Sequence, residues 1–355
     1  MPLFMLRYDL RAPSFGEVAH AELYQAALDQ CAWADRQGFY SVTLSEHHGS
    51  PDGYLPSPRL LAAAVAARTQ RLRILIAALI APLHDPIALA EDLAVLDLLS
   101  NGRVVGLLSG GYVASEFECF GVKLSDRKAY MDEIVGVLEQ AWKGEPFEYK
   151  GRTVCVTPRP KRRPRPPIWM GGSSAAAARR AARCADYFVP SRPEYFEIFR
   201  EERARLGKSD PGPSPQQSDI FLYVAEDPDA AWEKISPFLL HETNSYGRWI
   251  ADAGTDSPYE TFENTDDLRA SGQYPVWTPE ELIEKARLMG PFEPIVLHPL
   301  AGGMDPEFAW ESLRLVETRV LPALRRRSGI VVATGPCFDA VQGDVDHRRY
   351  QLRMK

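Results

Sequence analysis

The chain has 355 residues, of which 45% are hydrophobic and 25% charged, and its formal net charge is −7 at pH 7. These values are typical of a globular protein with one large or two smaller domains, and the negative charge argues against nucleic acid or a membrane surface as the main partner. No apolar run reaches the length of a membrane span, and the five cysteines are scattered. We therefore expect a cytoplasmic protein without a membrane partner.

Short apolar runs alternate with amphipathic segments through the first half of the chain. The apolar runs predict strands at 3–8, 39–44, 72–80 and 103–108. The amphipathic spacing predicts helices at 17–37 and 58–69, a third that starts at Asp85-Pro86 and ends at Asn101-Gly102, and a fourth capped by Ser125. The buried stripe of the fourth helix is expected to be Met131, Ile134, Val135 and Leu138.

The alternation continues in the second half with two interruptions. Further strands are predicted at 168–170, 187–189, 220–225 and 295–297, and helices at 175–184, 195–206, 229–240, 278–289 and from Asp305-Pro306 onward. Residues 147–167 are rich in Pro, Arg and Lys and predict an extended excursion. Residues 242–277 are polar and aromatic without clear periodicity, which predicts a mobile lid over the site.

Eight strands that alternate with helices, without a second core, predict a single (β/α)8 TIM barrel over residues 1–326, with insertions at about 147–167 and 242–277. Residues 327–355 are expected to form a C-terminal tail or arm. The rival fold is an open doubly wound sheet. The first strand is not followed by a G-x-G-x-x-G turn, which counts against a dinucleotide-binding version of that fold.

Three ionisable residues follow the second predicted strand: Glu46, His47 and His48. In parallel α/β proteins the carboxyl ends of the strands carry the chemistry, and an imidazole titrates near neutral pH. A structural role for His47 is the alternative from the residues alone. Adjacent side chains do not converge easily on one ion and no third ligand is evident, so no metal site is expected.

Four segments together resemble the bacterial luciferase-like flavin-dependent monooxygenases and their deazaflavin-dependent relatives, from Pro2 to about Leu324. The segments are SEHH at 45–48, AALIAPLHDPIALAEDLAVLDLLSNGRVVGLLSGGY at 77–112, SEFECFG at 115–121 and PPIWMGGSSAAAARRAARCADYFV at 166–189. The resemblance implies an eight-stranded barrel that binds FMN at the carboxyl face of its strands. It also implies that a separate reductase supplies the reduced FMN.

The resemblance assigns roles to individual residues. His47 matches the catalytic histidine, Ala77-Ala78 matches a non-proline cis peptide beneath the flavin ring, and Ser109 lies beside that ring. The flavin phosphate is implied to bind at Gly171, Gly172, Ser173 and Ser174, where the amides of a helix N-terminus favour an anion. An ordinary serine cap is the alternative there. Gly110 is a departure, because many relatives carry a phosphate-binding arginine at that point.

Position alone makes Glu46, Tyr112 and His298 candidates for the substrate pocket. The predicted function is a monooxygenase that uses reduced FMN and dioxygen on a small organic substrate, with a flavin reductase as partner and a homodimer as the assembly. The alternatives are a deazaflavin-dependent oxidoreductase that transfers hydride, and a non-catalytic flavin-binding protein on the same fold.

Overall fold

A curled parallel sheet of seven strands forms the centre of the computed structural model, which describes residues 2–215, 221–254 and 259–325. In spatial order the strands are Pro294–Leu297 (β11), Leu3–Tyr8 (β1), Ser41–Leu44 (β2), Arg73–Ile80 (β3), Val104–Ser109 (β4), Trp169–Gly172 (β7) and Tyr187–Pro190 (β8). Two small sheets consist of Phe147–Tyr149 (β5) with Arg152–Val154 (β6), and Tyr223–Val224 (β9) with Val276–Trp277 (β10).

The order of the strands brings the two ends of the described chain together, because β1 pairs in parallel with both β2 and β11. The predicted α/β architecture and its parallel sheet are therefore confirmed. Within the described residues the barrel does not close, because β9 does not join the main sheet. The backbone N–H of Val224 donates to the Ser312 hydroxyl (2.8 Å), and the flanking residues Tyr223 and Ala225 bond to the chain around β10. The predicted strand at 220–225 is correspondingly short.

Helices of the described segments pack around the sheet. They are His20–Gln37 (α1), Pro58–Arg68 (α2), Pro86–Leu99 (α3), Ala114–Cys119 (α4), Arg127–Ala141 (α5), Ala175–Cys184 (α6), Pro193–Arg205 (α7), Pro228–Ala253 (α8), Thr265–Ser271 (α9), Pro279–Leu288 (α10), Pro306–Leu315 (α11) and, after a π-helical turn, Leu321–Arg325 (α12). The predicted buried stripe of α5 is confirmed. Among the helices of the described segments, none combines the length and apolarity needed to cross a membrane.

The irregular backbone expected from residue 242 onward is helical over the first third of 242–277, because α8 continues through Glu242 to Ala253 and ends at the left-handed Gly254. Pro237, Gly247 and the polar composition mask the helix in the sequence. Tertiary contacts favour it instead: the Thr243 hydroxyl donates to the Glu260 carbonyl oxygen (2.9 Å). A Cβ on Gly247 would lie 2.7 Å from a Thr261 methyl carbon, so glycine permits this close packing.

Two smaller expectations also change. Ser125 does not cap α5, which begins at Arg127 after a 3-10 turn. The Ser125 hydroxyl donates instead to the Asp126 carboxylate (2.9 Å). The excursion at 147–167 contains the β5–β6 hairpin. The predicted tail at 327–355 lies outside the described residues.

Gly302, in the turn after β11, has a positive φ of 61°, and a Cβ there would lie 2.1 Å from the Phe238 carbonyl oxygen of α8. We expect Gly302→Ala to lower the free energy of unfolding by about 1–3 kcal/mol or more, because the backbone of α8 would have to move. Urea denaturation measures the change.

The matched control is Gly136→Ala, at an exposed position inside α5 where a Cβ meets no atom within 4 Å. That variant should gain roughly 0.5–1 kcal/mol from helix propensity. Equal stabilities of the two variants would contradict the close approach of α8 to this turn.

Candidate active site

His47 lies at the carboxyl end of β2, where its ring is 7% exposed and lines a cavity of about 200 Å³. Its Nδ1 lies 2.7 Å from the Glu116 carboxylate, which also accepts the backbone N–H of His48 (2.8 Å). A carboxylate only accepts, so Nδ1 carries the hydrogen and Nε2 is the nitrogen left for chemistry. Glu116 is 1% exposed, and its second oxygen has no hydrogen-bond partner among the described residues.

Glu116 is a site residue that the sequence analysis missed. It lies on α4 and is separated from His47 by 69 residues. The only signal was its place inside the segment at 115–121, and neither its burial nor its partner could be read from that segment.

Aromatic rings surround His47 on several sides. Ring centroids lie 4.4 Å away for Trp249, 4.8 Å for Tyr54, 5.7 Å for Tyr246 and 5.8 Å for Tyr112. Trp249 and Tyr246 belong to α8, in the part of the chain that was predicted to be a mobile lid. The structure therefore covers His47 with the side chains of a helix.

Arg11 lies behind this aromatic wall and is completely buried. Its guanidinium donates to Asp9 (3.0 Å) and Asp52 (2.6 Å) and lies 4.6–5.1 Å from the ring centroids of Tyr54, Trp249 and Tyr246. Both ion pairing and cation–π contact thus hold the wall in place.

Asp52 connects this arrangement to α8, since it also contacts His241 Nε2 at 2.7 Å. Burial by itself raises the pKa of Asp52, but the hydrogen bond to His241 and the charge of Arg11 outweigh it, so the pKa is lowered. The carboxylate stays ionised, and it bonds both to His241 of α8 and to Arg11 of the loop after β1.

Glu46 lines the first cavity, as predicted, but both of its oxygens are already bonded. Oε1 contacts His48 (3.1 Å) and His84 (2.8 Å), and Oε2 accepts the backbone N–H of Ile80 (2.6 Å). Burial raises the pKa of Glu46, but the hydrogen bonds from His48 and His84 outweigh it and lower the pKa to about 2. Glu46 therefore ties the loop after β2 to the loop after β3, and Glu46, His47 and His48 do not converge on one point.

The first cavity is also lined by Ala77, Ala78 and Ser109. The peptide bond between Ala77 and Ala78 is cis, in agreement with the resemblance. The register between β3 and β4 shifts between Ala77 and Leu79. Small side chains at this shift leave the backbone accessible to a flat ligand.

A second cavity of about 680 Å³ shares Ser109, Gly111 and Tyr112 with the first. It is lined by Gly171, Gly172, Ser173 and Ser174 at the N-terminus of α6, where Ser174 accepts the backbone N–H of Ala177 (3.2 Å). The predicted cap and the predicted anion site thus occupy the same turn.

The space beside Gly110 is filled by Arg127 of α5. A Cβ built on Gly110 would lie 3.7 Å from Arg127 Cδ, so the Arg127 side chain packs directly beside this glycine. Lys128 and Arg180 line the same cavity. Arg180 is paired with Asp132 (2.7 Å), whereas Arg127 donates a long hydrogen bond to the Leu124 carbonyl oxygen (3.4 Å).

Tyr112 and His298 were also predicted to lie in the substrate pocket, and the structure places them differently. Tyr112 lines both cavities, and burial raises the pKa of its hydroxyl. His298 lines neither cavity: it is completely buried, with Asp9 at 3.5 Å and Glu242 at 3.4 Å, so its assignment to the pocket is corrected. The apolar strand β11 ends under α8, and its last side chains are covered by that helix.

Asp9, Glu242 and His298 can each present one ligand atom within 4.8 Å of the others, which is compatible with a metal ion. Arg11 lies 3.0 Å from Asp9, and Arg7 lies 3.7 Å from Glu242. Two guanidinium groups beside the carboxylates oppose a dication, so we describe this set as a buried charge cluster.

Comparisons with known proteins agree with this geometry. The family model described as luciferase-like monooxygenase matches residues 10–293. Over 157 residues the chain is 31% identical to the oxygenase component of flavin-dependent trigonelline monooxygenase from Acinetobacter baylyi, which covers 42% of this chain and 43% of that protein. The chain spans about half or less of the length of the curated relatives it matches.

Solved structures match over a longer range. The monooxygenase RslO1 from Streptomyces bottropensis is 26% identical with a TM-score of 0.70, over 91% of this chain and 99% of that one. The oxygenating constituent of 3,6-diketocamphane monooxygenase from Pseudomonas putida, in complex with FMN, is 19% identical with a TM-score of 0.66, over 90% and 98%. At 19% identity, the match to the diketocamphane monooxygenase shows similarity of the fold alone. The chain belongs to the luciferase-like monooxygenase family of flavin-dependent monooxygenases and oxidoreductases.

Proposed function

We propose that this protein is an FMN-dependent monooxygenase that uses reduced FMN and dioxygen to oxidise a small organic substrate. The observation that carries the proposal is the pair of joined cavities. One is lined by His47, Glu116 and the cis Ala77-Ala78 peptide, and the other brings cationic side chains to the N-terminus of α6.

The residues of the two cavities fit a flavin. The first cavity is lined by small residues and by the aromatic rings of Tyr112 and Tyr246, which suit a planar ring system. The second offers the amides of Gly171–Ser174 and the charge of Arg127, which suit a phosphate. Bound reduced flavin would supply the two electrons that activate dioxygen.

The protein residues would then provide proton transfer and protection from water. His47 would accept and return a proton at Nε2, while Glu116 fixes its tautomer through Nδ1. Tyr54, Tyr246 and Trp249 would exclude water from the reacting centre.

We propose a separate reductase as the source of the reduced flavin. The relative from Acinetobacter baylyi is named as the oxygenase component of its monooxygenase, which supports flavin reduction and substrate oxidation by two separate proteins. A deazaflavin-dependent hydride transfer and a non-catalytic flavin-binding role are the alternatives: flavin titration tests the former, and turnover measurements test the latter.

The assembly is proposed to be a homodimer formed through α2 and α3. These helices are joined by an ion pair between Arg59 and Asp92 (2.5 Å), and beside it they expose large apolar side chains. The exposed residues are Leu60 (74%), Val95 (40%), Leu98 (42%) and Leu99 (57%). An exposed apolar face of this kind favours a self-complementary contact.

The first prediction concerns the flavin. FMN is expected to bind in a 1:1 ratio, and Arg127→Gln should weaken its affinity roughly tenfold or more, because a charge-assisted hydrogen bond to the phosphate is lost. Fluorescence titration measures the affinity. Arg152→Gln, on the exposed hairpin strand β6, is the control that should leave it unchanged. Tight binding of a deazaflavin with no binding of FMN would overturn the monooxygenase proposal.

The second prediction concerns the histidine and its carboxylate. His47→Asn keeps a donor near the Nδ1 position but removes Nε2, and should lower turnover roughly 10²–10⁴-fold. Glu116→Gln should lower turnover by about 10–100-fold, because the imidazole loses its fixed orientation. Oxygen-dependent turnover of a substrate found by screening measures both effects.

FMN affinity is the control for this pair and should stay within a few-fold of wild type in both variants. A non-catalytic flavin-binding protein would show no turnover above that of free reduced FMN, with or without the substitutions. A His47→Asn variant with wild-type turnover would assign His47 a structural role.

The third prediction concerns assembly. The Leu98→Glu/Leu99→Glu variant should convert a dimer into a monomer in sedimentation velocity experiments, because charges would be buried at the contact. Leu288→Glu places the same charge at a more exposed leucine on α10 (84%) and should leave the dimer intact. A monomeric wild type at micromolar concentration would exclude this interface.

A further inference from the structure

A third cavity, of about 290 Å³, lies beside the small β9–β10 sheet. Among the described residues, none that lines it also lines either cavity of the candidate active site. Trp232 of the third cavity and Tyr246 of the first belong to the same helix, α8, and lie about 21 Å apart along it at a rise of about 1.5 Å per residue. The third cavity is therefore remote from His47.

The wall of the third cavity is aromatic. Trp232 and Tyr274 are buried in a hydrophobic cluster that is separate from the main core, and Trp277 of β10 is half-buried. The strand β10 packs against both α8 and α10, so this wall combines elements that are distant in sequence. Indole and phenol rings give a large apolar contact area that suits a flat ring.

The wall also contains a polar group that the described chain leaves unsatisfied. The indole N–H of Trp232 is buried and has no hydrogen-bond partner among the described residues. Most buried donors in proteins are paired, so an unpaired one in the wall of a cavity needs an explanation.

Two cations stand at the mouth of the third cavity. The Arg269 guanidinium of α9 lies 5.6 Å from the ring centroid of Trp232, and Lys285 Nζ of α10 lies 4.1 Å from that of Trp277. Both cationic residues are exposed, and no described residue that lines the cavity is acidic. In a chain with a net charge of −7, this is a local excess of positive charge that attracts an anion.

The charge of Arg269 is only partly matched by the protein. Its Nη2 pairs with Asp229, a carboxylate that is itself largely exposed to solvent. A guanidinium carries five N–H donors, so one ion pair does not exhaust its capacity. Exposed ion pairs of this kind are weak, and a ligand anion can compete with them.

We propose that the third cavity binds a small aromatic carboxylate, at a second ligand site that is separate from the flavin. The aromatic ring of the ligand would pack among Trp232, Tyr274 and Trp277. Its carboxylate would lie at the mouth, between Arg269 and Lys285. The inference does not depend on the proposed function, because it uses no residue of the first two cavities.

Both features of the ligand follow from the lining of the cavity. An aliphatic acid would meet the two cations but lose the contact between flat rings, and a neutral aromatic compound would leave the cations without a counter-charge. The size also limits the ligand. Typical ligand pockets have volumes of roughly 300–1,000 Å³. The third cavity lies at the lower end of that range, which suits one or two rings.

Calorimetric titration with benzoate tests the proposal, with and without saturating FMN. Wild type should bind one benzoate per chain under both conditions. Cyclohexanecarboxylate, which lacks the aromatic ring, and benzamide, which lacks the charge, should each bind about fivefold more weakly or worse. Arg269→Gln and Lys285→Gln should each weaken benzoate binding by about fivefold or more, because a cation leaves the mouth. Arg152→Gln, on the exposed strand β6, is the matched control and should leave it unchanged.

Absence of benzoate binding at millimolar concentration would overturn the inference, as would binding that FMN abolishes or that neither Arg269→Gln nor Lys285→Gln weakens. Equal affinities for benzoate and cyclohexanecarboxylate would also overturn it, because the site would not select an aromatic ring. If circular dichroism shows that a variant does not fold, the comparison of the three compounds on wild type still decides. A protein that binds benzoate as expected but no FMN would reject the flavin proposal alone, so the two failures are distinguishable.

Discussion

The buried guanidinium of Arg11 is the interaction on which the architecture of the site depends. It joins Asp9 at the end of β1 to Asp52 in the loop after β2, and Asp52 continues to His241 of α8. Removal of one partner from a buried ion pair typically costs about 3–5 kcal/mol, because the other charge stays desolvated. This network therefore fixes α8 over the carboxyl ends of the strands far more firmly than an exposed ion pair would.

The aromatic wall follows from the same contact. Tyr54, Tyr246 and Trp249 present their faces to Arg11 on one side, and Tyr54 and Tyr246 meet at their hydroxyls (2.6 Å). On the other side these rings meet the imidazole of His47. A dry environment for His47 thus depends on charges that never touch the cavity, and the site is protected from water by folded structure.

The strands and most helices could be predicted because their signals are local. Continuous apolar runs marked β1 to β4, and Asp-Pro pairs marked the starts of α3 and α11, where Asp85 and Asp305 do cap the helices. The second half of α8 could not be predicted, because its polar residues are satisfied by segments distant in sequence. Thr243 and Asn244 bond to the chain at 260–262, and no helical period records those partners.

The site shows the same division between local and distant signals. His47, Ser109 and Gly171–Ser174 lie at or just after the carboxyl ends of strands, so their approach to one face was predictable from topology. Glu116 and Arg127 could not be found in this way, since Glu116 lies on a short helix and Arg127 lies beside Gly110 through space rather than in sequence. His298 follows a strand too, yet it is buried in the wall. A position at a strand end selects candidates, and the burial of each side chain decides among them.

The two cavities differ in their contact with solvent, so the site has a buried inner end and an exposed outer end. Residues of the first cavity, such as His47, Glu46 and Tyr246, are buried, whereas Lys128 and Glu118 at the second cavity are exposed. A flavin that arrives from another protein would therefore pass its ring inward first and bring its phosphate to rest at the exposed end. The ring would then reach the part of the site covered by α8, while the phosphate would remain beside the exposed Lys128. Such an orientation permits exchange of the cofactor without opening the wall around His47, so a firmly fixed α8 is compatible with repeated delivery of reduced flavin.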